Sequence, residues 1–99
     1  MVQRRSVRQA RLLNEFGANI RRWRKINGLT ATSLAERAFV TRETLRNIEE
    51  GTGTPRLDSL FAVLAVTGIV DAIVNASDPY KSVAPRPIRL RLGAAVRAG

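Results

Sequence analysis

Residues 33–51 read SLAERAFVTRETLRNIEEG, and apolar residues recur in this stretch at the spacing of helices with one buried face. An apolar trio runs directly into Thr-Arg-Glu-Thr, with two charges side by side, before the next apolar residue, Leu45. Thr41 offers a hydroxyl that can cap a helix, and Leu45 and Ile48 would lie on the buried face of that helix. The stretch therefore predicts a tight turn followed by a short helix over residues 42–50.

The flanking sequence predicts four more short helices. The one that precedes the turn can be capped by Thr30 or by Ser33, and the pattern leaves both starts open. Gly51 and Gly68 can end helices because glycine readily adopts the left-handed backbone conformation. The five predicted helices cover residues 9–27, 31 or 34 to 38, 42–50, 55 or 56 to 67, and 70–77.

Residues 79–99 differ from the helical part of the chain. The PRP sequence at 85–87 cannot be helical, and IRLRL at 88–92 alternates apolar and basic residues as a half-buried strand does. A single strand needs a partner edge, and the alternative is that the tail is disordered. The predicted organisation is a basic arm at 1–8, an all-α domain of five helices at 9–78, and this basic tail.

The composition excludes several classes of protein. The chain has 99 residues, of which 44% are hydrophobic, and this is enough for one small core. It has no cysteine and no histidine, which removes disulfides, the commonest metal ligands and the commonest general base. We therefore expect no enzymatic activity, no metal and no cofactor. No apolar run approaches the roughly 18 residues of a membrane span, so we expect a cytoplasmic protein with no membrane partner.

The net charge of +9 comes mainly from arginine, which supplies 15 of the 17 basic residues. It is unevenly distributed, with +7 over residues 1–25, −3 over residues 26–78 and +5 over residues 79–99. Arginine binds phosphate through parallel hydrogen bonds, so the basic ends favour a polyanionic partner such as nucleic acid. Arginine-rich ends are also common as solvated tails, and charge alone leaves both interpretations open.

Four polar residues of the helix over 42–50 would point away from the core, namely Arg42, Glu43, Arg46 and Asn47. Such a face suits the edges of DNA bases, because arginine pairs with guanine, asparagine with adenine and glutamate with the cytosine amino group. The same four residues would equally form an ordinary solvated face, in which helical neighbours interact only with each other.

Three segments together resemble the helix-turn-helix regulators of the phage-repressor or Xre type. They are IRRWRKINGLT at 20–30, SLAERAFVTRETLRNIEEG at 33–51 and PRLDSLFAVLAVTGI at 55–69. The resemblance implies a lambda-repressor-like fold of five short helices, with the third helix in the major groove of double-stranded DNA. It implies base readout by Arg42, Glu43, Arg46 and Asn47, and contacts with the DNA backbone by Thr41, Thr44 and Arg56.

The resemblance also points to a structural ion pair. In this family an arginine late in the first helix often pairs with a glutamate late in the third, and Arg24 and Glu49 occupy those places. Glu49 also follows the core residue Ile48, so its carboxylate is the one in this helix that we expect to point inward. We assign this pair to the fold and not to DNA binding.

Two positions depart from the family pattern. Phe39 stands where a glycine with left-handed backbone is usual, so either the turn differs or the ring gains contacts that offset the strain. An exposed phenylalanine would instead suit a partner contact. Ala31 stands where the family often has a phosphate-binding glutamine. Arginines of the N-terminal segment would compensate on the DNA backbone or in the minor groove: Arg4, Arg5, Arg8 and Arg11.

The resemblance implies a sequence-specific transcriptional regulator, a repressor, that binds a palindromic operator as a homodimer. Strands over 88–92 from two protomers would pair antiparallel. The predicted dimer interface consists of apolar residues near the last helix and in this strand: Ile69, Val70, Ile73, Val74, Ile88, Leu90 and Leu92.

The segment VTGIVDAIVNASDPY at 66–80 is similar to part of the HipB-type antitoxins, which repress their own operon and hold a toxin. The other subtype that the resemblance allows is a phage or prophage repressor, and both would be bacterial or phage proteins. The competing class is a protein-interaction module that keeps the fold without DNA readout. In that module Phe39 and the tail would bind a partner protein.

Overall fold

The computed structural model describes residues 5–81, and within them the chain forms five α-helices and no strand. The predicted all-α fold is therefore confirmed. The predicted strand at 88–92 lies outside the described residues, as do Arg4 and the rest of the tail beyond Lys81. The helices are α1 (Val7–Ile26), α2 (Ala31–Ala38), α3 (Arg42–Glu50), α4 (Leu57–Thr67) and α5 (Val70–Ala76).

Helix α1 begins at Val7, two residues before the predicted start. The amide of Gln9 donates a 3.0 Å hydrogen bond to Ser6 Oγ, so Ser6 is the N-cap of this helix. Arg8 consequently belongs to the first turn of α1 and not to a separate arm. The predicted boundary between arm and helical domain, after residue 8, differs from the observed start of the helix for this reason.

Threonine caps determine where α2 and α3 begin. The amide of Ser33 donates to Thr30 Oγ1 at 3.0 Å, which decides between the two predicted starts of α2. The amide of Thr44 likewise donates to Thr41 Oγ1 at 3.0 Å, as predicted for α3. Each cap satisfies a backbone amide that has no partner within its helix. The turn at 39–41, between the end of α2 and the capped start of α3, is therefore well defined.

The core is made by residues from four helices. Its fully buried large side chains are Ile20 from α1, Leu34 from α2, Leu45 from α3, and Val63 and Leu64 from α4. A buried aliphatic side chain of this size contributes about 1.5–3 kcal/mol relative to an exposed one. This core fixes the inner face of α3. The outer face of α3 is exposed to solvent or to a ligand.

Helix α1 crosses α3 at Gly17, which is buried. A Cβ atom at this position would overlap the backbone carbonyl oxygens of Ile48 and Glu49. Only glycine therefore allows the two helix backbones to approach this closely. This contact is made at Ile48, the last core residue of α3, and at Glu49, and it holds the C-terminal end of that helix against α1.

Within residues 5–81, no single helix is both long and apolar enough to cross a bilayer. Helices α4 and α5 would reach the required length and apolarity only if taken together, and they are bent by 118° relative to each other.

Candidate nucleic-acid interface

The outer face of α3 carries the side chains predicted to contact bases. Arg42, Glu43 and Arg46 are exposed, whereas Asn47 is half-buried near the end of the helix. Because Leu45 is buried in the core on the opposite side, this face cannot turn inward without unpacking the domain. The structure thus brings three of the four predicted residues to one exposed helix surface.

Arg42 is connected to α2 by its side chain. Its Nη1 donates a 2.6 Å hydrogen bond to Thr32 Oγ1, in the first turn of α2. A guanidinium has five N–H donors, so most of them stay available to a ligand while this bond restricts the rotamer. Thr32, and not Ala31, is therefore the polar residue through which the start of α2 contributes to this surface. Sequence analysis gave no sign of this contact.

Asn47 lies against the turn that follows α3. Thr52 Oγ1 donates to Asn47 Oδ1 at 3.2 Å. A Cβ atom on Gly53 would lie 2.8 Å from Asn47 Nδ2, so the amide is close to the turn backbone as well. The orientation of this side chain thus depends on the turn over residues 51–53.

The residues predicted to contact the DNA backbone lie at the helix starts. Thr41 Oγ1 accepts the capping bond and also donates to Thr44 Oγ1 at 3.0 Å. Arg56 is exposed and forms a 3.2 Å ion pair with Asp58. An exposed pair of this kind contributes little, so a phosphate can replace the carboxylate at small cost.

A cleft of about 190 Å³ extends this surface between α1 and α3, and its lining includes Glu49 and Glu50 beside four arginines. Arg21 lines it together with Arg42 and Arg46. Sequence analysis missed Arg21, although the run RRWRK at 21–25 was a signal of basic residues on α1. Arg8 is exposed on α1, whereas the Arg5 guanidinium donates to backbone carbonyls of the turn after α3.

The Arg24 and Glu49 side chains form a two-point ion pair between α1 and α3. Arg24 Nε lies 2.7 Å from Glu49 Oε2, and Arg24 Nη2 donates to Glu49 Oε1 at 3.2 Å. Arg24 Nη1 also donates to the Leu29 carbonyl at 3.2 Å. The side chains are only 11% and 10% exposed. The Glu49 carboxylate is consequently engaged by Arg24, although Glu49 also lines the cleft beside Arg42 and Arg46.

Phe39 joins α2 to the turn with left-handed backbone angles, φ 57° and ψ 42°. It is the only non-glycine residue with positive φ among the described residues, and its side chain is 94% exposed. Neither of the two explanations that the sequence offered for a non-glycine residue at this turn holds within the described residues. The turn does not avoid the left-handed conformation, and the ring is not buried to offset the strain.

Replacing Phe39 with glycine should raise the free energy of unfolding by about 1 kcal/mol, because glycine adopts this conformation without strain from a Cβ atom. Phe39→Ala is the matched control, since alanine removes the exposed ring but retains the Cβ atom, and its stability should equal that of wild type. Urea unfolding of the three proteins measures the difference. Equal stability of the glycine and alanine variants would contradict this account of the turn.

The four predicted interface residues within the described chain divide into two groups. Ile69, Val70 and Ile73 are half-buried and pack against the domain's own core. Val74 is 47% exposed. Much of the apolar surface that was predicted to contact a partner protomer therefore packs against the core of its own domain.

Helix α3, with its inner face fixed in the core and its outer face polar, makes the α2–turn–α3 unit a helix-turn-helix motif. A family model described as helix-turn-helix matches residues 20–72, which is more than half of the chain. The chain belongs to this family, in its phage-repressor or Xre type, and is a DNA-binding regulator of transcription. Searches of curated proteins and of solved structures found no match.

Proposed function

We propose that this protein is a sequence-specific repressor that binds double-stranded DNA as a homodimer on a palindromic operator, and that it has no catalytic role. The observation that carries the proposal is the exposed set of Arg42, Glu43 and Arg46 on α3. These side chains project from a helix whose buried face is fixed by the core, which is the arrangement that base readout in the major groove requires. With duplex DNA as its partner, the protein would act in the bacterial cytoplasm, whether it is encoded by a bacterium or by a phage.

Each residue of this surface has a base that suits its chemistry. Arg42 and Arg46 would donate two parallel hydrogen bonds to guanine, and Glu43 would accept from the cytosine amino group. Asn47 would pair with adenine through its amide. Such two-point contacts discriminate against a wrong base by about 1–3 kcal/mol each.

Contacts with phosphates would fix the position of α3 in the groove. Thr41 and Thr44 stand at the N-terminus of that helix, where free amides and the helix dipole favour an anion. Arg56 and Arg8 are exposed, and Arg21 adds a basic group from the cleft beside Arg42. We expect the logarithm of the binding constant to fall by about 0.9 per phosphate contact for each tenfold increase in salt.

The dimer interface is proposed to include Val74 and the neighbouring apolar edge of α5. A palindromic operator presents two half-sites related by a two-fold axis, which two protomers must match. Since Ile69, Val70 and Ile73 are largely used in the core, α5 supplies too little exposed apolar area by itself. The proposal therefore assigns the remaining area to the tail, with Ile88, Leu90 and Leu92.

In vitro selection of duplex sites by the purified protein tests the proposal. We expect an enriched palindrome with half-sites about one helical turn apart, and analytical ultracentrifugation should show a dimer on that site. A folded protein that enriches no motif over a random library would contradict sequence-specific binding. A motif without two-fold symmetry, bound by a monomer, would contradict the homodimer only.

A protein-interaction module of the antitoxin type is the second candidate, and the exposed Phe39 ring favours it. Within the described residues the exposed ring has no packing that would offset the backbone strain. Binding of the ring to a toxin or another protein would explain why a phenylalanine stands at this position. The two candidates differ in how duplex binding responds to salt and competitor. Preferential binding to one duplex over a scrambled one at about 0.15 M salt is not expected of a module without DNA readout.

A further inference from the structure

We infer that Arg5 is a positioning residue for Asn47, and that through the turn over residues 51–53 it sets how strictly one base pair of the operator is read. The inference rests on the proposed function, because it concerns the base contact assigned to Asn47. It gives Arg5 a different task from the phosphate contact expected from its sequence.

Arg5 bridges two carbonyl groups of the turn that follows α3. Its Nη2 donates to the Gly53 carbonyl at 2.5 Å, and its Nη1 donates to the Gly51 carbonyl at 3.4 Å. The residue is half-buried, although it precedes α1 and belongs to a strongly basic segment. We call these two bonds the Arg5 bridge. They direct the guanidinium toward the protein backbone and occupy two of its five N–H donors.

The bridged turn contacts Asn47 through both its side chain and its backbone. Besides the bond from Thr52 Oγ1 to Asn47 Oδ1, the Thr52 amide donates to the Asn47 carbonyl at 2.9 Å. Gly53 closes the other side, at a distance from the amide that a Cβ atom would not permit. A shift of this turn would therefore move the amide that is to pair with adenine.

This turn needs an external constraint more than the other turns do. Gly51 and Gly53 both have left-handed backbone, with φ of 72° and 68°, and two glycines around a single threonine give the segment many alternative conformations. An open cavity of about 330 Å³, lined in part by Leu13, Phe16 and Pro55, lies beside it. Gly51 is packed against the α1 backbone at Leu13, so the space to move lies on the side of Thr52 and Gly53, where the Arg5 bond to the Gly53 carbonyl is made.

The inference predicts an uneven effect across the operator. The base pair assigned to Asn47 should depend on Arg5, whereas the base pairs assigned to Arg42 and Arg46 should not. Arg42 is held by Thr32 from α2, at the opposite end of α3 and away from the bridged turn. A phosphate contact by Arg5 would instead weaken binding to all sequences about equally.

In vitro selection with wild type, Arg5→Ala, Arg5→Lys and Thr52→Val, combined with binding at several salt concentrations, tests this. We expect about a tenfold loss of preference at one base pair per half-site in all three variants. Lysine should fail to restore it, because an ammonium lacks the planar, two-nitrogen geometry of the bridge. The salt dependence of Arg5→Lys should equal that of wild type, whereas the control Arg8→Ala should lower the salt slope by about one and leave the motif unchanged.

Three results would overturn the inference. An unchanged motif in Arg5→Ala, with a lower salt slope that lysine restores, would make Arg5 a phosphate contact. A preference lost evenly over all positions would indicate general loosening of the domain, which circular dichroism of each variant would also report. A wild-type protein that enriches no motif would remove the proposed function itself, and this outcome is recognised before any variant is compared.

Discussion

Replacing Glu49 with alanine should lower the free energy of unfolding by about 3–5 kcal/mol. Arg24, whose side chain is only 11% exposed in the intact protein, would lose the carboxylate that accepts two of its hydrogen bonds. Desolvation of an unpaired charge costs far more than the intact pair contributes, so the loss greatly exceeds the net value of the ion pair. The packing of α1 against α3 would lose the side-chain connection that Arg24 and Glu49 make between the two helices.

Thermal and urea unfolding of Glu49→Ala should show this effect as a fall in melting temperature of more than about 10 °C. Glu50→Ala is the matched control, since it removes the adjacent carboxylate, which is exposed and has no ion-pair partner among the described residues. Its stability should stay within about 0.5 kcal/mol of wild type. If Glu49→Ala melts within one or two degrees of wild type, the pair does not contribute to the fold as assigned.

The double substitution Arg42→Ala plus Arg46→Ala should abolish sequence preference while leaving the domain folded. The two proposed contacts with guanine would be lost, each worth about 1–3 kcal/mol, so preference for the selected site over a scrambled duplex should fall by about 30-fold to 10⁴-fold. Both side chains are exposed and lie outside the core, so the unfolding free energy should change little. Fluorescence anisotropy with specific and scrambled duplexes measures the ratio.

A control with the same change in net charge separates readout from general attraction. Arg22 and Arg37 are exposed and lie off the outer face of α3, on α1 and α2 respectively. Their double alanine variant should bind both duplexes somewhat more weakly and retain the preference between them. A similar loss of preference in both double variants would show that α3 does not carry the readout.

The helices were predictable because each is amphipathic and most begin or end at a residue with a specific local role. Thr41 and Gly51 define α3 through bonds within a few residues, so the sequence around them contains the necessary information. The start of α1 was missed because its first turn, including Val7 and Arg8, is exposed. A turn with no buried side chain shows no apolar periodicity, and only the cap at Ser6 marks it.

The contacts that orient the candidate base-reading residues were not predictable in the same way. Arg42 bonds to Thr32, ten residues away in sequence, and Arg5 bonds to carbonyls of the turn at 51–53, 46 and 48 residues away in sequence. These bonds depend on how the helices cross, which the local pattern does not specify. Asn47 was predicted to point outward like its neighbours, and its partial burial follows from the turn that packs against it.

The absence of a side chain at Gly17 has a consequence for the duplex that this protein is proposed to bind. The direct approach of α1 to the carbonyls of Ile48 and Glu49 joins the end of α3 closely to the longest helix of the domain, and we expect this contact to restrict tilting of α3 toward a poorly matched groove. A stiff protein shifts the adjustment to its ligand, so in the proposed dimeric complex the duplex would have to take the curvature and groove width set by the two protomers. Base pairs at the centre of the operator would then affect affinity through the bending energy of their steps, even where no side chain reaches them.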